Sequence, residues 1–263
     1  MSHAAIWDSV CRLRATAPLV HNITNYVVMN NTANALLAIG ASPAMIHAAE
    51  EVEDFVAIAG ALVINIGTLS PDWVAGMRLA ALRANAAGVP WVLDPVGMGA
   101  TRYRSRVAAD LVALKPRVVR GNGSEIMALA GASGTIKGVD STASSDDGLR
   151  AARSLAGLSG GVVAVTGATD YITDGARVRA VHNGDAMMAR VTGMGCTATA
   201  LVGAFLASEP DALTATTHAL AVLGVAGEMA AAKAAGPGSF QMHILDALHA
   251  LDQATLQKLV RVD

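Results

Sequence analysis

The sequence predicts an α/β protein with a mainly parallel central sheet that is flanked by helices and carries an antiparallel hairpin at one edge. Short apolar runs typical of buried strands alternate with helical patterns, an order that requires crossover connections and parallel strands. Two alternating segments flank Asp174-Gly175-Ala176, which is typical of a hairpin. Apolar residues make up 53% of the 263 residues, enough for a large core. Because no internal repeat and no long linker divides the chain, residues 1–263 are predicted to form a single domain.

The first half of the chain predicts four strands separated by helices. Thr24 or Asn25 is the expected N-cap of a helix over 26–39, and Gly40 is a normal helix stop. The elements predicted in this half are, in order, a helix at 3–17, a strand at 19–20, the helix at 26–39, a strand at 42–46, a helix opened by the acidic residues 50–54, a strand at 61–66, a helix at 71–87 and a strand at 89–93.

The second half continues this alternation and adds the hairpin. Residues 132–147, rich in Gly, Ser, Thr and Asp, are predicted to form a surface loop. Arg190 to Thr192 are expected to end a strand, and Cys196 to begin an alanine-rich helix that runs to about Ala207. The remaining predicted elements are helices at 105–114, 124–130, 145–157, 211–234 and 239–251, a tail at 253–260, strands at 115–120 and 161–166, and hairpin strands at 170–174 and 177–182.

Composition excludes several classes of function. The formal net charge of −2 gives no electrostatic basis for binding nucleic acid or an anionic membrane. Two cysteines, Cys11 and Cys196, cannot form a disulfide framework. The first residues lack a signal-peptide pattern and no apolar run has the length of a membrane span, so a cytoplasmic location is expected. The chain also lacks a P-loop, a complete G-x-G-x-x-G pattern and an H-x-x-x-H zinc pair.

Gly193-Met-Gly195, placed before the alanine-rich helix, predicts an anion site. A helix start has free backbone N–H groups and a partial positive charge, and two glycines let a ligand approach that backbone closely. Such a site could hold the charge that develops on a phosphoryl group, with Cys196 at its edge. A tight turn before a helix, with a buried cysteine, explains the same residues equally well.

Polar residues follow several of the predicted strands. In parallel sheets, ligands bind beyond the carboxyl ends of strands. Asp94 lies at such an end beside two glycines, as a metal or phosphate site would require, although an Asp before Pro also starts turns. His21-Asn-Ile-Thr-Asn25 is either a pocket lining or a capping loop. Met45 lies near the end of the predicted strand 42–46 and faces the loop end, but a lone Met usually belongs to a core.

Asn122 and Glu125 are three residues apart at the start of a predicted helix. A helix-capping pair has this spacing, and so does a Mg²⁺ site held partly through waters. The pattern by itself favours the cap. Arg120, at the end of the preceding strand, could contact a phosphate with two parallel hydrogen bonds.

Four motifs follow one another along the chain: Asp94-Pro, Asn122-x-x-Glu125, Thr166-Gly167 and Gly193-Met-Gly-Cys196. This order resembles that of the ribokinase-like kinases. The finer detail resembles the hydroxyethylthiazole kinase family over about residues 18–207. That likeness is carried by His21-Asn-Ile-Thr-Asn25 with Val27-Val-Met-Asn30, Asp94-Pro-Val-Gly97, Arg120-Gly-Asn-x-Ser-Glu125 and Thr192-Gly-Met-Gly-Cys196. Most ribokinase-like kinases have Asp at the position of Cys196, and Ala is commoner than Gly at 123.

The resemblance implies a reaction, its cofactors and an assembly. It implies transfer of the ATP γ-phosphoryl group to the hydroxyl of 4-methyl-5-(2-hydroxyethyl)thiazole, in a homotrimer with sites at the subunit interfaces. It implies that Met45, Gly193 and Asn25 contact the thiazole and that Arg120 and Thr166 contact ATP. Asp94 and Glu125 are implied to position Mg²⁺ and phosphate. The implied catalytic centre is Cys196, with the anion hole at Gly193 and Gly195.

Two questions stay open at the level of sequence. A thiol at a helix start ionises more easily than usual, but it is poorly matched as a base for an alcohol. We therefore expect Cys196 to assist and the anion hole to supply most of the acceleration. The alternative activities are an ATP-dependent hydrate dehydratase or a pyridoxal- or pyrimidine-type kinase, which normally carry Asp at 196, and a nucleotide-binding module without turnover.

Overall fold

The structure is a computed structural model that describes residues 3–132 and 145–263, without the side chains of residues 145 and 146. Most of the surface loop predicted at 132–147 lies outside these residues. The described strands are β1 (Leu19–Ile23), β2 (Ser42–Met45), β3 (Ala61–Asn65), β4 (Trp91–Asp94), β5 (Val118–Asn122), β6 (Val162–Thr166), β7 (Asp170–Thr173) and β8 (Val178–Val181).

These strands form one sheet in the order β2-β1-β3-β4-β5-β6-β7-β8. The strands from β1 to β6 pair in parallel, whereas β7 pairs antiparallel with both β6 and β8. The predicted parallel sheet with an antiparallel edge hairpin is therefore confirmed. Helical crossovers bring the carboxyl ends of β1 to β6 to one edge of the sheet, where ligands bind in such folds.

Helices cover both faces of this sheet. They are α1 (His3–Thr16), α2 (Met29–Ile39), α3 (Val52–Ile58), α4 (Pro71–Ala87), α5 (Arg102–Ala113), α6 (Gly123–Ala132), α7 (Ser145–Ser159), α8 (Met194–Leu206), α9 (Ala212–Ala231), α10 (Pro237–Ala250) and α11 (Gln253–Leu259). Among them, none combines the length and apolar character needed to cross a membrane.

Two apolar cores lie on opposite faces of the sheet. Successive strand residues point to opposite faces, so Val63 of β3 joins one core while Leu62 and Ile64 join the other. The core on the Val63 side receives α1, α2, α8, α9 and α10, and the opposite core receives α3 to α7. Burial on both faces explains why β3 is a continuous apolar run rather than an alternating one.

Two predictions about the residues around the site were wrong. The helix predicted at 26–39 begins at Met29, and neither Thr24 nor Asn25 caps it. The side chain of Asn25 instead accepts a hydrogen bond from the Val27 amide at 3.1 Å, which closes a turn before the helix. This shift leaves the Asn25 amide nitrogen available to other partners.

The strand expected to end at residues 190–192 is also absent from the described sheet. Residues Ala186–Arg190 form a 3₁₀ helix, capped by the Asp185 side chain at the Met187 amide. The free edge of β8 is taken instead by the C-terminal residues, through a bridge between Val181 and Val262. Helix α8 then begins at Met194, two residues earlier than predicted, with Gly193 as its N-cap.

Candidate active site

Asp94, the last residue of β4, lies at the centre of the polar residues at the carboxyl edge of the sheet. Its side chain is buried, and its Oδ2 accepts hydrogen bonds from Asn65 Nδ2 at 3.0 Å and from Thr199 Oγ1 at 2.7 Å. Burial raises the pKa of Asp94 to about 6, a rise that the nearby positive charge of Arg120 partly opposes. A buried carboxylate of this kind is stabilised by any cation brought beside it.

A chain of side-chain amides connects Asp94 to Asn25. Asn65 donates to Asp94, and its Oδ1 in turn accepts from Asn25 Nδ2 at 2.9 Å. Because the carboxylate of Asp94 can only accept hydrogen bonds, it orients the Asn65 amide with its nitrogen towards Asp94. The Asn65 oxygen then orients the Asn25 amide in the same way. The chain passes close to Gly67, where an added Cβ would lie 2.5 Å from Asn25 Nδ2, so this contact requires glycine.

The sequence analysis missed Asn65 and Thr199. Asn65 ends a buried strand, as Asp94 does, so the strand-end rule that selected Asp94 could have selected it too. Thr199 has no such signal, since it lies inside α8 and is 105 residues from Asp94 in sequence.

Cys196 lies in the first turn of α8, beside the hydrogen-bonded amide side chains of Asn25 and Asn65. Its Sγ accepts a hydrogen bond from Asn25 Nδ2 at 3.6 Å. Burial raises the pKa of the Cys196 thiol to about 11, and the charge of Asp94 adds to this rise. Burial and the nearby carboxylate both act against the thiolate that the helix start was expected to favour. The thiol is protonated at neutral pH.

The N-terminus of α8 and Arg120 form a cationic corner. Gly193 has a φ of +84°, and an added Cβ there would lie 2.8 Å from Val28 Cγ1. The first helical bond runs from the Thr197 amide to the Gly193 carbonyl, so the amides of residues 194–196 precede the hydrogen-bonded ladder. An added Cβ at Gly195 would lie 2.7 Å from Arg120 Nη1. Gly193 is thus needed for its positive φ, and Gly195 leaves the space in which the end of the Arg120 side chain lies against the helix start.

Arg120 extends from the middle of β5 towards Thr166 and Asp94, because β5 runs two residues beyond the strand end predicted at Arg120. Its Nη2 donates to the Thr166 hydroxyl, and its Nη1 lies 3.9 Å from Asp94 Oδ2. Its buried Nε has no hydrogen-bond partner within the described chain, so the guanidinium keeps donor capacity for a ligand. The structure therefore brings the predicted residues Arg120, Thr166, Gly195 and Asp94 together.

Glu125 connects the ends of β4 and β5. Its Oε2 accepts from the Asn122 amide at 2.9 Å, and Asn122 Oδ1 accepts from the Glu125 amide at 2.9 Å. This reciprocal pair confirms the capping interpretation. The other oxygen, Oε1, accepts from the Gly97 amide at 2.7 Å and so ties the loop after Asp94 to α6.

Asp94 and Glu125 have a donor set that suits Mg²⁺. The described residues contain no group of three or more His, Cys, Asp or Glu side chains arranged for a metal. Mg²⁺ is commonly held by one or two carboxylates, with waters and substrate phosphates completing its shell. The negative charge of Glu125 also contributes to the raised pKa of Asp94, an effect that a shared cation would relieve.

A cavity of about 630 Å³ adjoins Arg120. Its lining combines the polar residues Arg120 and Thr166 and the backbone of Gly195 with the apolar side chains of Met188, Leu220 and Leu223. Asp170, which the sequence analysis did not select, also lines it and accepts from the Gly167 amide at 2.9 Å. The combination of a cationic corner and an apolar wall suits a ligand with phosphates at one end and a flat apolar group at the other.

A larger hollow of about 980 Å³ lies at the opposite end of the sheet. It is lined by residues at the amino ends of β4 and β5, including Trp91 and Arg117, and by none of the predicted site residues. Its position is opposite to that expected for ligand sites in parallel sheets.

Met45 lies at the site's end of the sheet but outside the amide chain. It ends the edge strand β2, in register with Asn22 of β1. Strand β1 separates it from β3, which carries Asn65.

The order and pairing of the strands in this sheet are those of the ribokinase-like fold. The ADP complex of pyridoxal kinase from Bacillus subtilis matches the structure with a TM-score of 0.61 at 17% identity, covering 79% of this chain and 90% of that one. At this identity the match shows the fold alone. The chain belongs to the hydroxyethylthiazole kinase family, whose model matches residues 10–254.

Similar proteins support this family membership. A hydroxyethylthiazole kinase of Granulibacter bethesdensis is 59% identical over 249 residues, which cover 95% of this chain and 91% of the relative. One from Leptospira biflexa is 54% identical, covering 94% of this chain and 92% of the relative. The solved structure of the hydroxyethylthiazole kinase protein from Pyrococcus horikoshii OT3 has a TM-score of 0.93 at 44% identity, covering 99% of this chain and 98% of that one.

Proposed function

We propose that this protein transfers the γ-phosphoryl group of ATP to the hydroxyl of 4-methyl-5-(2-hydroxyethyl)thiazole, a step of thiamine salvage. Family membership supports the reaction. The observation that carries it is the position of Arg120, which packs against Gly195 at the start of α8 while reaching both Thr166 and Asp94. This corner joins the cavity to the amide chain, as a transfer between two bound substrates requires.

The phosphates of ATP are held at the cationic corner. Arg120 and the hydroxyl of Thr166 contact them from the cavity side, and the backbone amides of residues 193–196, including those of Gly193 and Gly195, stabilise the transferring oxygens. Phosphoryl transfer needs positioning and charge neutralisation more than covalent chemistry. The apolar part of the cavity receives the adenine base.

Asp94 and Glu125 would hold Mg²⁺ beside the phosphates, in part through water molecules. When bound, the ion would supply neutralisation of the phosphate charge. Asp94 is well suited to this role because its carboxylate is buried and its pKa is raised to about 6, so a cation is a better partner for it than a proton at neutral pH. Glu125 would contribute the lone pairs that remain on its two carboxylate oxygens after they accept from the Gly97 and Asn122 amides.

The thiazole alcohol binds at the ends of β1 to β3, near Asn25, Met45 and Gly193. Its hydroxyl oxygen attacks the γ-phosphorus, the bond from that phosphorus to the β-bridging oxygen breaks, and ADP leaves while the hydroxyl proton passes to solvent. Cys196 assists by holding Asn25 and the hydroxyl in place. With a pKa of about 11 its thiol does not accept the proton at neutral pH.

We also infer that residues 1–263 act as one domain in the cytoplasm and that three copies assemble with sites at their interfaces. Directly after Asn25, the side chains of Tyr26 and Val27 are 67% and 68% exposed. Large apolar groups exposed beside a site are suited to cover by another subunit. Sedimentation velocity checks this assembly: a species of one chain that turns over at full rate would contradict it.

The reaction is tested by incubating the protein with ATP, Mg²⁺ and the thiazole alcohol and measuring ADP and the phosphate ester by mass spectrometry. We expect the ester to form and Arg120→Ala to lower kcat/KM by about 100-fold, as loss of a transition-state donor does. Arg117→Ala, an exposed arginine at the other end of β5, is the matched control and should stay within twofold.

Three results would contradict the proposal in different ways. A folded protein that binds ATP but forms no ester would redirect the acceptor to pyridoxal, pyrimidine or hydrate compounds. ATP binding without Mg²⁺ dependence and without turnover would indicate a nucleotide-binding module. Equal loss of activity in the Arg117 and Arg120 variants would remove the special role of the cationic corner.

A further inference from the structure

One wall of the 630 Å³ cavity is formed where the chain leaves β8. Residues Asn183, Gly184 and Asp185 line the cavity here, opposite Gly224 of α9. An added Cβ at Gly224 would lie 2.6 Å from Asn183 Cβ, so the loop of residues 183–185 rests directly on the helix backbone. Gly184 has a φ of +136°, a conformation that other residues rarely adopt. Contacts from outside the loop also hold it in this shape.

Glu228, one turn further along α9, supplies these contacts. Its Oε1 accepts three hydrogen bonds: from Gly184 N at 2.9 Å, from Asn183 Nδ2 at 3.0 Å and from Arg261 Nη2 at 2.6 Å. The side chain of Glu228 is only 18% exposed, so its charge is largely shielded from water and these bonds are worth more than surface contacts. One carboxylate oxygen thus joins the cavity loop to the C-terminal residues.

The C-terminal residues contact the same loop from its other side. Asn183 Oδ1 accepts from the Arg261 amide at 2.6 Å, and Asn183 Nδ2 also donates to the Leu259 carbonyl at 2.8 Å. Arg261 Nη2 donates further to the His182 carbonyl at 3.0 Å. The bonding groups of Asn183 are therefore engaged by the tail and by Glu228, which holds the loop against α9.

We propose that Glu228 and Arg261 are positioning residues of the nucleotide subsite. They act through the loop of residues 183–185, which they hold in the shape that closes the cavity wall. The inference rests on the proposed function, because it takes this cavity as the ATP site. The Oε1 hydrogen bonds of Glu228 go to the loop of residues 183–185 and to Arg261, and none goes to Asp94. Loss of Glu228 therefore changes how ATP is bound and leaves the acceptor and the transfer step in place.

The test measures KM for ATP, KM for the thiazole alcohol and kcat in Glu228→Ala, Glu228→Gln and Arg261→Ala. Removing a charged hydrogen-bond acceptor from three donors raises KM for ATP by about tenfold in Glu228→Ala. The alcohol KM and the kcat at saturating ATP stay within twofold. Glu228→Gln, which keeps one acceptor oxygen, recovers part of the ATP affinity. In the double variant of Glu228→Ala with Arg261→Ala, the KM for ATP rises by less than the product of the two single increases, because both residues act on one network.

Glu209→Ala is the matched control. Its Oε2 lies 2.6 Å from Arg12 Nη2, and Glu228 and Arg261 have the same separation. The exposed fractions also match: 15% for Glu209 and 18% for Glu228, and 47% for Arg12 and 51% for Arg261. This pair lies at the opposite end of the sheet, beside the 980 Å³ hollow. A rise in KM for ATP equal to that of Glu228→Ala would show that loss of any such ion pair has this effect, and would overturn the proposal.

The outcomes separate this inference from the proposed function. Failure of the unmodified protein to bind ATP, measured by calorimetry, would refute the assignment of the cavity. Normal ATP turnover in the unmodified protein, with an unchanged ATP KM in Glu228→Ala, would refute the positioning role alone. If Glu228→Ala does not fold, Arg261→Ala decides, because that side chain is half exposed and its removal spares α9.

Discussion

Asn65 and Asp94 lie side by side at the ends of β3 and β4, in register and joined by a 3.0 Å hydrogen bond from Nδ2 to Oδ2. The pair links the residue proposed to hold Mg²⁺ to the residue proposed to contact the alcohol, since Asn65 also accepts from Asn25. A change at Asn65 should therefore alter both the charge of Asp94 and the orientation of Asn25.

Asn65→Asp places a second carboxyl group beside Asp94. Like charges disfavour ionisation, so the pKa of Asp94 rises further above about 6. We expect the acid limb of kcat/KM to move to higher pH by about one unit or more. Asn85→Asp is the control, because Asn85 accepts from Trp91 Nε1 near the other end of β4. An acid limb at the same pH in the Asn65 and unmodified proteins would refute the coupling.

Asp94→Asn is expected to abolish turnover and to stabilise the fold at alkaline pH. The pKa of Asp94 is raised from 3.8 to about 6, so its carboxylate costs the folded state free energy that is absent below pH 3.8 and complete above about 6. The variant should be about 1–3 kcal/mol more stable at pH 8, and this difference should shrink as the pH falls towards 4.

Urea unfolding at pH 8 and pH 4.5 measures this difference. Asp110→Asn serves as control, because Asp110 is half exposed and 3.6 Å from Arg78, and such surface pairs contribute little. A variant of Asp94 that is less stable than the unmodified protein at pH 8 would show that its hydrogen bonds outweigh the cost of burying its charge.

Cys196→Ala should keep measurable turnover, because a protonated thiol supplies positioning and no base. We expect a loss in kcat of about 10- to 100-fold, the range of a positioning contact. Cys196→Asp, which introduces the residue usual in ribokinase-like kinases, should stay active. Complete loss of turnover in the alanine variant, with ATP binding intact, would assign Cys196 an essential chemical step.

The same pKa predicts how Cys196 reacts. Only thiolates react with iodoacetamide, so at pH 7.5 Cys196 should be alkylated much more slowly than the exposed Cys11. Mass spectrometry of the two peptides over time compares them within one sample. Faster labelling of Cys196 would mean that the helix start lowers its pKa after all.

Gly67→Ala tests the amide chain by steric means. An added Cβ would lie 2.5 Å from Asn25 Nδ2, so Asn25 must move away from Asn65. We expect KM for the alcohol to rise by about tenfold, since a misplaced hydrogen-bonding group costs on the order of 1–2 kcal/mol. Gly157→Ala is the control, because nothing lies within 4 Å of its added Cβ in α7. A Gly67 variant with an unchanged alcohol KM would exclude Asn25 from the acceptor site.

The strand and helix pattern by itself determined the fold class and most of the strand ends that form the site. Local periodicity identifies buried strands because both faces of a parallel sheet are apolar, and helix α4 was predicted with its observed bounds. Helix α11, in contrast, lies where only a tail was predicted. Asp94 could be selected because it is a polar residue at the end of a buried strand. Arg120 was selected by the same rule although the structure places it in the middle of β5, and Thr166 was selected only through the family resemblance. The paired glycines at 193 and 195 indicated that some group approaches the backbone closely, but they did not indicate which group.

Only the tertiary structure decided which of these groups meet and how they ionise. Thr199 reaches Asp94 across 105 residues, and Arg120 lies against Gly195, contacts that no local pattern encodes. A 3₁₀ helix at 186–190 lies where the end of a strand was predicted, and the C-terminal residues, distant in sequence, occupy the edge of β8. The direction of the Cys196 pKa shift was mispredicted for the same reason: the helix start is visible in sequence, whereas burial and the charge of Asp94, which act more strongly on the thiol, arise only when distant segments pack together.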